Sequence, residues 1–351
     1  MEFGIQFFPN VGEPEKPAAR YYDECLRLCE LLDGYGYTHV RTVEHYFHVY
    51  GGYSPNPMMF LTAASQRTEK ARLVTGAVLP VFNNPLKVAG EIGMLDGMSN
   101  GRIEVGLARA FLPREFRAFG VSLDESIARF DEGVEQIRRL LEEENVTCEG
   151  RFHSFRDVTS MPRPTQKPRP RFWTAALSTP ESFEKAGRRG DWLMAIPIAG
   201  GKMAEFLGIY REAWKSAGHP GKGRIMLAFF MLCHDDREEA IRIAREPVDR
   251  YFSSLVDAAS DWTTGETSAD YRHYDKIIAQ LKQENLDTQM AKKSAWVGTP
   301  DDLVEMIGAY DREVGGMDDA SMQVNFTSVS YRDAERSLRL FGEKVIPRLA
   351  G

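Results

Sequence analysis

The sequence predicts an α/β protein built on a closed (β/α)8 barrel, also called a TIM barrel. Short apolar runs rich in β-branched residues alternate with stretches of helical periodicity along 351 residues. Such alternation predicts a parallel sheet, because parallel strands are joined through helical crossovers. Eight apolar strands occur, with no internal repeat and no low-complexity linker, and this number fits one closed barrel better than an open sheet. The chain 1–351 is therefore expected to form one domain.

The predicted strands and helices follow one another in regular order. The strands cover residues 3–8, 38–45, 71–81, 101–108, 170–177, 191–197, 224–232 and 320–326. The helices cover residues near 17–36, 56–68, 85–99, 124–144, 180–189, 201–217 and 236–256, and a last helix covers the C-terminal YRDAERSLRLFGEKVIPRL. The Pro- and Arg-rich stretch 148–170 is too irregular for a helix, and we interpret it as a surface excursion with one hairpin.

One segment does not follow the alternation. Residues 257–299, between the seventh and the eighth predicted strand, contain SDWTTGETSADYRHYDK and then a helical patch, with weak apolar periodicity throughout. An insertion of this length usually serves as a lid or a binding loop rather than as scaffold. We therefore expect a lid over the barrel mouth here.

Composition bounds the class of protein. The chain carries a net charge of −7, with 43% apolar and 27% charged residues, which are ordinary globular values. The absence of a Lys/Arg cluster argues against nucleic acid as the main partner. No apolar run approaches the ~18 residues of a membrane span, and the N-terminus does not have the pattern of a signal peptide. We expect a cytoplasmic protein whose cysteines are reduced core thiols, namely Cys25, Cys29, Cys148 and Cys233.

The stretch TVEHYFHV carries the densest group of reactive side chains. Glu44, His45 and His48 lie at the predicted end of the second strand, where barrels place their chemistry. The spacing is compatible with a metal, but no later strand end supplies further ligands. Two other interpretations remain: His45 and Glu44 cap a loop through hydrogen bonds, or His45 is an acid/base residue.

Three further strand ends carry candidate ligand groups. The Thr75–Gly76 step interrupts an apolar strand, which indicates either close packing or the approach of a ligand. Arg109 follows the fourth strand and is either a surface arginine or an anion ligand. The fifth strand ends in a helix N-terminus that can serve as a simple cap or as a phosphate cradle, with Ser178, Thr179 and Ser182 as its hydroxyl residues.

Together these stretches resemble the bacterial luciferase-like family of flavin-dependent monooxygenases. The matching segments run nearly from end to end and include FGIQFF, GYGYTHVRTVEHYFHVYGGYSPNP, ARLVTGAVLPVFNNPLKVAGEIGMLDGMSNGRIEVGLAR, MPRPTQKPRPRFWTAALSTPESFEKAGRRG and VGTPDDLVEMIGAYDREVGGMDD. The resemblance implies a (β/α)8 barrel that takes reduced FMN from a separate flavin reductase. With O₂ it would oxygenate an apolar organic substrate through a flavin C4a-(hydro)peroxide. It also implies a homodimer.

The resemblance assigns roles to individual residues. His45 corresponds to the family's catalytic histidine, with Glu44 as its support, and Arg109, Ser178, Thr179 and Ser182 correspond to the phosphate-binding positions. Thr75–Gly76 corresponds to a non-prolyl cis peptide under the isoalloxazine. Phe7 is expected beside the cofactor, and Phe8, Phe111 and Tyr251 beside the substrate. Residues 257–292 correspond to a mobile lid.

The family leaves other functions open. Some members use the deazaflavin F420 and transfer a hydride instead of activating O₂. Others are non-catalytic subunits. A metal hydrolase built on the same barrel is a third class, and metal analysis of the purified protein would distinguish it from a flavin enzyme.

Overall fold

The computed structural model describes residues 1–13, 15–197 and 201–349. Eleven strands occur in this part of the chain. In chain order they are β1 (Glu2–Phe7), β2 (His39–Thr42), β3 (Arg72–Thr75), β4 (Ile103–Leu107), β5 (Val146–Glu149), β6 (Ser154–Val158), β7 (Phe172–Ala176), β8 (Trp192–Ala195), β9 (Ile225–Cys233), β10 (Ala295–Gly298) and β11 (Asp319–Gln323).

Eight of these strands close into a parallel barrel. Their order around the barrel is β9, β11, β1, β2, β3, β4, β7 and β8, and β8 pairs with β9 to close the ring. Each of the eight strands overlaps one of the eight sequence-predicted strands, and the predicted (β/α)8 fold is confirmed. The strands are mostly apolar on both faces because side chains pack inside the barrel as well as under the helices.

Helices surround the barrel. They are α1 (Ala18–Cys29), α2 (Pro57–Ser65), α3 (Pro85–Met98), α4 (Pro113–Phe119), α5 (Ser126–Glu142), α6 (Pro180–Arg189), α7 (Met203–Ser216), α8 (Arg237–Ala258), α9 (Tyr274–Leu281), α10 (Leu286–Ala291), α11 (Pro300–Glu313), α12 (Tyr331–Lys344) and α13 (Ile346–Leu349). None of the helices in the described ranges is long and apolar enough to cross a membrane.

Two strands end earlier than the sequence predicts. The second strand is expected to reach residue 45 and the third to reach residue 81, whereas β2 stops at Thr42 and β3 at Thr75. The residues beyond both strands remain buried, and those after β3 are also apolar, because they fold over the C-terminal end of the barrel and build its mouth. Burial without strand pairing explains why apolar runs overestimate these two strands.

The Pro-rich excursion and the insertion have different outcomes. The predicted hairpin is confirmed as the antiparallel pair β5–β6. The insertion 257–299 is more regular than predicted, since it holds α9, α10 and β10. The strand β10 pairs with the distal half of β9, with Ala295 opposite Phe230. This strand lies in a segment of weak apolar periodicity that does not follow the strand–helix alternation, so the sequence did not indicate β10.

A buried ion network lies at the N-terminal end of the barrel. Asp319 at the start of β11 is fully buried and accepts hydrogen bonds from Arg72 at 2.6 Å and from Arg224 at 2.5 Å. Arg72 also donates to Glu104 on β4 at 3.1 Å and to Glu2 on β1 at 2.5 Å. The network joins strands from opposite sides of the barrel, and each charge in it has an opposite charge beside it.

We expect Asp319→Asn to destabilise the protein by about 3–5 kcal/mol, because it leaves two arginines without their shared, buried counter-charge. Urea unfolding would measure the loss. Asp301→Asn is the matched control, since the Asp301–Arg348 pair is exposed and should contribute at most about 1 kcal/mol. Equal, small losses in both variants would contradict a stabilising role of the buried network.

Candidate active site

Two connected cavities lie at the C-terminal ends of the barrel strands. The outer cleft has a volume of about 650 Å³ and the deeper cavity a volume of about 170 Å³. Both are lined by Arg109 after β4, by Ala175 of β7, by Ser178 and Thr179 after β7, and by Ser182 of α6. The two cavities share these residues and therefore form one site, in which charged side chains line mainly the outer cleft and aromatic side chains line mainly the deeper cavity.

His45 is held by a carboxylate that is remote in sequence. Its Nδ1 lies 3.1 Å from Oε1 of Glu115, which also accepts the backbone N–H of Tyr46 at 2.9 Å. Glu115 lies in the first turn of α4 and is fully buried, and its Oε2 has no hydrogen-bond partner among the described residues. Since a carboxylate acceptor favours the proton on Nδ1, Nε2 of His45 is the atom free to accept a proton.

Glu44 does not support His45, which corrects the sequence-based expectation. Its hydrogen bonds within the described chain go to Tyr46 Oη at 2.6 Å, Asn83 Nδ2 at 2.8 Å and Leu79 N at 3.1 Å. Burial raises the pKa of the Glu44 carboxyl to about 7, although these hydrogen bonds act in the opposite direction. Because β2 ends at Thr42, strand alternation does not govern residues 44 and 45, and both line the deep cavity.

His48 diverges from His45 as expected. Its Nδ1 accepts the backbone N–H of Tyr50 at 3.1 Å, so Nε2 donates to Asp257 at 2.9 Å. Among the residues that the structure describes, no three His, Cys, Asp or Glu side chains form a group that could hold a metal ion. His48 thus joins the mouth loop to the end of α8.

The expectation for the Thr75–Gly76 step is partly wrong. The non-prolyl cis peptide joins Gly76 to Ala77, one bond further along the chain. Thr75 is fully buried and exchanges hydrogen bonds of 2.8 Å with both backbone groups of Gly106, so its side chain joins β3 to β4 and does not line the cavity. Gly76 does line it, and a Cβ at Gly76 would lie 1.9 Å from Nε of Arg41.

The end of β7 forms an uncapped helix N-terminus. Thr179 is the N-cap residue of α6, but its hydroxyl interacts with Ser182 Oγ at 2.6 Å and makes no cap hydrogen bond. The buried Oγ of Ser178 has no partner in the described part of the chain. Free N–H groups, hydroxyls and the positive end of a helix dipole together suit an anion.

Arg109 stands beside this helix end. Its Nη1 donates to the backbone oxygen of Asp270 at 2.7 Å and to Ser126 Oγ at 3.1 Å, and its guanidinium lies 4.2 Å from the ring centroid of Tyr271. Residues 257–299 thereby contact the side of the site that holds Arg109. Arg109, Ser178, Thr179 and Ser182 are brought together as the resemblance implies.

Aromatic side chains form one wall of the deep cavity. The ring of Phe8 lies 5.6 Å from that of His45 and 5.2 Å from that of Tyr251, while Phe111 lies 6.0 Å from His45. Phe7 points the other way and packs on Phe60 of α2 at 5.5 Å, because successive strand residues face opposite sides. The expectation that the Phe7 side chain lies beside a cofactor is therefore wrong.

Three residues of the site were not predicted from sequence. Glu115, Gln6 and Arg41 are buried, and Gln6 and Arg41 also line the deep cavity. A charged residue at the centre of an apolar strand, as in THVRTVEH, was a signal for Arg41. Nothing in the local sequence pairs Glu115 with His45, since the two are 70 positions apart.

Comparison with known proteins identifies relatives over the whole chain. The oxygenase component of the flavin-dependent trigonelline monooxygenase of Acinetobacter baylyi is 27% identical, over 99% of this chain and 95% of that protein. An F420-dependent glucose-6-phosphate dehydrogenase of Intrasporangium calvum is 29% identical over 86% of each chain. An FMNH₂-dependent dimethylsulfone monooxygenase of Pseudomonas putida is 21% identical over 96% of this chain and 90% of that protein.

A solved structure and a family model also relate this chain to monooxygenases. The crystal structure of the monooxygenase RslO1 from Streptomyces bottropensis is 42% identical, covers 99% of both chains and superposes with a TM-score of 0.87. Residues 1–316 match the family model described as luciferase-like monooxygenase. The match spans all barrel strands except β11 and all the site residues described above. The chain belongs to the luciferase-like monooxygenase family.

Proposed function

We propose that this protein is the oxygenase component of a two-component flavin monooxygenase. It takes reduced FMN from a separate flavin reductase and oxygenates an apolar organic substrate with O₂. The observation that carries the proposal is the joined pair of cavities, in which an outer anion site opens into an apolar inner chamber with one buried His–Glu pair. The relatives named as flavin-dependent and FMNH₂-dependent monooxygenases support this choice.

The residues present fit FMN. Its phosphate would be held by Arg109 and the N-terminus of α6, with Ser178 offering a buried hydroxyl that lacks a hydrogen-bond partner in the described part of the chain. Lys185 and Lys276 add positive charge to the same outer cleft. The ring system would lie in the inner cavity, where Gly76 provides an approach to the backbone. Bound reduced flavin supplies the activation of O₂.

The protein's own groups position and protect the reaction. Glu115 fixes the Nδ1–H tautomer of His45, so Nε2 of His45 is free to accept a proton from the reacting centre. Glu44 positions the loop after β3 through Leu79 and Asn83. The aromatic wall excludes water, which protects a reactive species from hydrolysis.

We infer that residues 257–299 act as a lid on one domain, 1–351. Trp262 donates to the backbone oxygen of Phe111 at 2.8 Å, and Tyr271 donates to that of Ala110 at 2.7 Å. Both contacts lie on the loop after β4 that carries Arg109. Because the lid is hydrogen-bonded to this loop, the position of the lid would depend on whether an anion occupies the outer site.

A homodimer and a cytoplasmic location complete the proposal. Large apolar side chains are exposed on and beside α3, with Met94 57%, Met98 46% and Met161 71% exposed, and Met59 on α2 is 74% exposed. A second copy would bury these methionines. All four cysteines are buried and unpaired, as suits a reducing compartment.

The competing functions differ in cofactor and in turnover. An F420-dependent oxidoreductase would transfer a hydride and consume no O₂, and the F420-dependent relative supports this alternative. A non-catalytic flavin-binding subunit would bind FMN without product. The intact pair of His45 and Glu115 favours an active oxygenase.

We expect the isolated protein to bind reduced FMN more tightly than reduced F420, because the outer site offers one compact anion cradle. Together with a generic flavin reductase it should consume O₂. Anaerobic fluorescence titrations with both cofactors and an oxygen electrode measure this. Preferential binding of reduced F420 without O₂ uptake would establish the alternative, and FMN binding without turnover would indicate a non-catalytic subunit.

We expect His45→Ala and Glu115→Gln to lower the yield of oxygenated product per reduced FMN by about 10²-fold or more, the usual contribution of a general acid or base. FMN affinity should stay within about two-fold, because neither residue lies in the outer cleft. Product and hydrogen peroxide are quantified together, since uncoupled turnover releases peroxide.

The role of Glu115 as a positioning residue has a spectroscopic test. In ¹⁵N-histidine-labelled protein the His45 imidazole should show the Nδ1–H tautomer, which Glu115→Leu should lose because it removes the acceptor, and which Glu115→Asp should partly retain. Glu44→Leu is the matched control, because Glu44 makes no hydrogen bond to the imidazole in the described structure. An unchanged His45 signal in Glu115→Leu would remove Glu115 from this role.

We expect the wild-type protein to be dimeric and Met94→Glu to shift it to monomer, because a charge would be buried in an apolar interface. Size-exclusion chromatography with light scattering gives the mass. Met94→Leu keeps the apolar surface and should stay dimeric. A monomeric wild-type protein, or an unaltered dimer in Met94→Glu, would contradict the assignment of this face.

A further inference from the structure

The deep cavity contains a buried arginine that has no carboxylate partner among the residues that the structure describes. Arg41 lies on β2, is 3% exposed and lines the cavity together with His45. Its Nη1 donates to Oε1 of Gln6 at 2.6 Å and its Nη2 donates to the backbone oxygen of Gly76 at 3.2 Å. Both acceptors are neutral.

Two arginines at the other end of the same barrel pair with carboxylates instead. Arg72 is more exposed than Arg41, with 21% of its side chain accessible, yet it contacts three carboxylates. Arg224 contacts two of the same three. Within the described residues Arg41 makes no ion pair. A buried charge without a counter-charge is costly, and it persists where a ligand supplies the missing charge.

Arg41 retains its charge at neutral pH. Burial lowers the pKa of its guanidinium to about 10, and the nearby Tyr251 hydroxyl acts in the opposite direction. Nε is packed against Gly76 and has no partner among the described groups. A guanidinium has five N–H donors, so further hydrogens of Nη1 and Nη2 remain beyond the two bonds above.

We propose that Arg41 and Gln6 form an anion-recognition site in the deep cavity, and that the substrate is an organic acid with an apolar body. The carboxylate would accept hydrogen bonds from the terminal nitrogens of Arg41, which match its planar geometry. The body would lie against the rings of Phe8 and Tyr251, which are in contact with each other at 5.2 Å. Calling this organic acid the substrate rests on the proposed function.

Arg41 lies close to His45 along the chain. The two residues are four positions apart in the segment that leaves β2, which limits the distance between their Cα atoms to about 13 Å. Both residues line the deep cavity, so an acid anchored at Arg41 would share that cavity with the imidazole. Arg109 lines both cavities whereas Arg41 lines only the deep one, so the two arginines would serve different anions.

Binding of benzoate and of its neutral isostere benzamide tests the proposal. The full-length protein, saturated with FMN, is titrated calorimetrically with each probe. Wild-type protein should bind benzoate at least about ten-fold more tightly than benzamide. Arg41→Gln should abolish this preference, and Arg41→Lys should retain part of it.

Gln6→Glu gives a sharper variant that keeps the size of the side chain. It places a carboxylate of the protein where Gln6 now accepts from Arg41, so benzoate affinity should fall about ten-fold or more while benzamide affinity is unchanged. Gln283→Glu on the exposed surface is the control of equal charge. Thermal midpoints verify that each variant is folded.

Three results of the probe titrations would overturn the proposal. They are equal affinity of wild-type protein for both probes, no benzoate binding up to its solubility limit, and benzoate binding that Gln6→Glu leaves intact. A parallel loss of FMN affinity in Arg41→Gln would assign Arg41 to the cofactor instead and would also overturn it. Probe binding needs no O₂ and no turnover, so its failure leaves the oxygenase assignment standing, and a failure of O₂ consumption leaves the anion site standing.

Discussion

The closure of the parallel barrel between β8 and β9 is the constraint on which the site depends. Once eight parallel strands form a ring, all their C-terminal ends meet at one rim. Side chains that are far apart in sequence then surround one cavity. His45 from the loop after β2, Arg109 from the loop after β4 and Ser178 from the loop after β7 converge for this reason alone.

Buried polar groups are paired differently at the two ends of the barrel. At the N-terminal end, Arg72, Arg224 and Asp319 neutralise one another in a closed network that contributes to stability. At the C-terminal end, one carboxylate oxygen of Glu115 and the hydroxyl of Ser178 have no hydrogen-bond partner among the described residues. Unsatisfied buried groups are few in folded proteins, and a bound anion would satisfy Ser178.

Much of the fold and part of the site could be predicted from sequence. Apolar strands and helical periodicity are local signals, and they located all eight barrel strands. The recognisable segments around His45, Arg109 and Ser178 placed these residues at the rim. The lengths of β2 and β3 were overestimated because burial over the barrel mouth produces the same apolar pattern as burial within a sheet. The short strand β10 left no pattern of its own.

The sequence by itself determined the barrel, the family and the group of polar residues at the rim, because periodicity and local motifs are written in neighbouring residues. Only the tertiary structure decided which carboxylate holds His45: Glu115 does so across 70 positions, while the adjacent Glu44 turns to Leu79 and Asn83. It also decided that Phe7 faces α2 and that Arg41 faces the cavity. Such side-chain contacts arise from the closure of the barrel, which brings distant loops together, and from strand register, which selects the face of each residue.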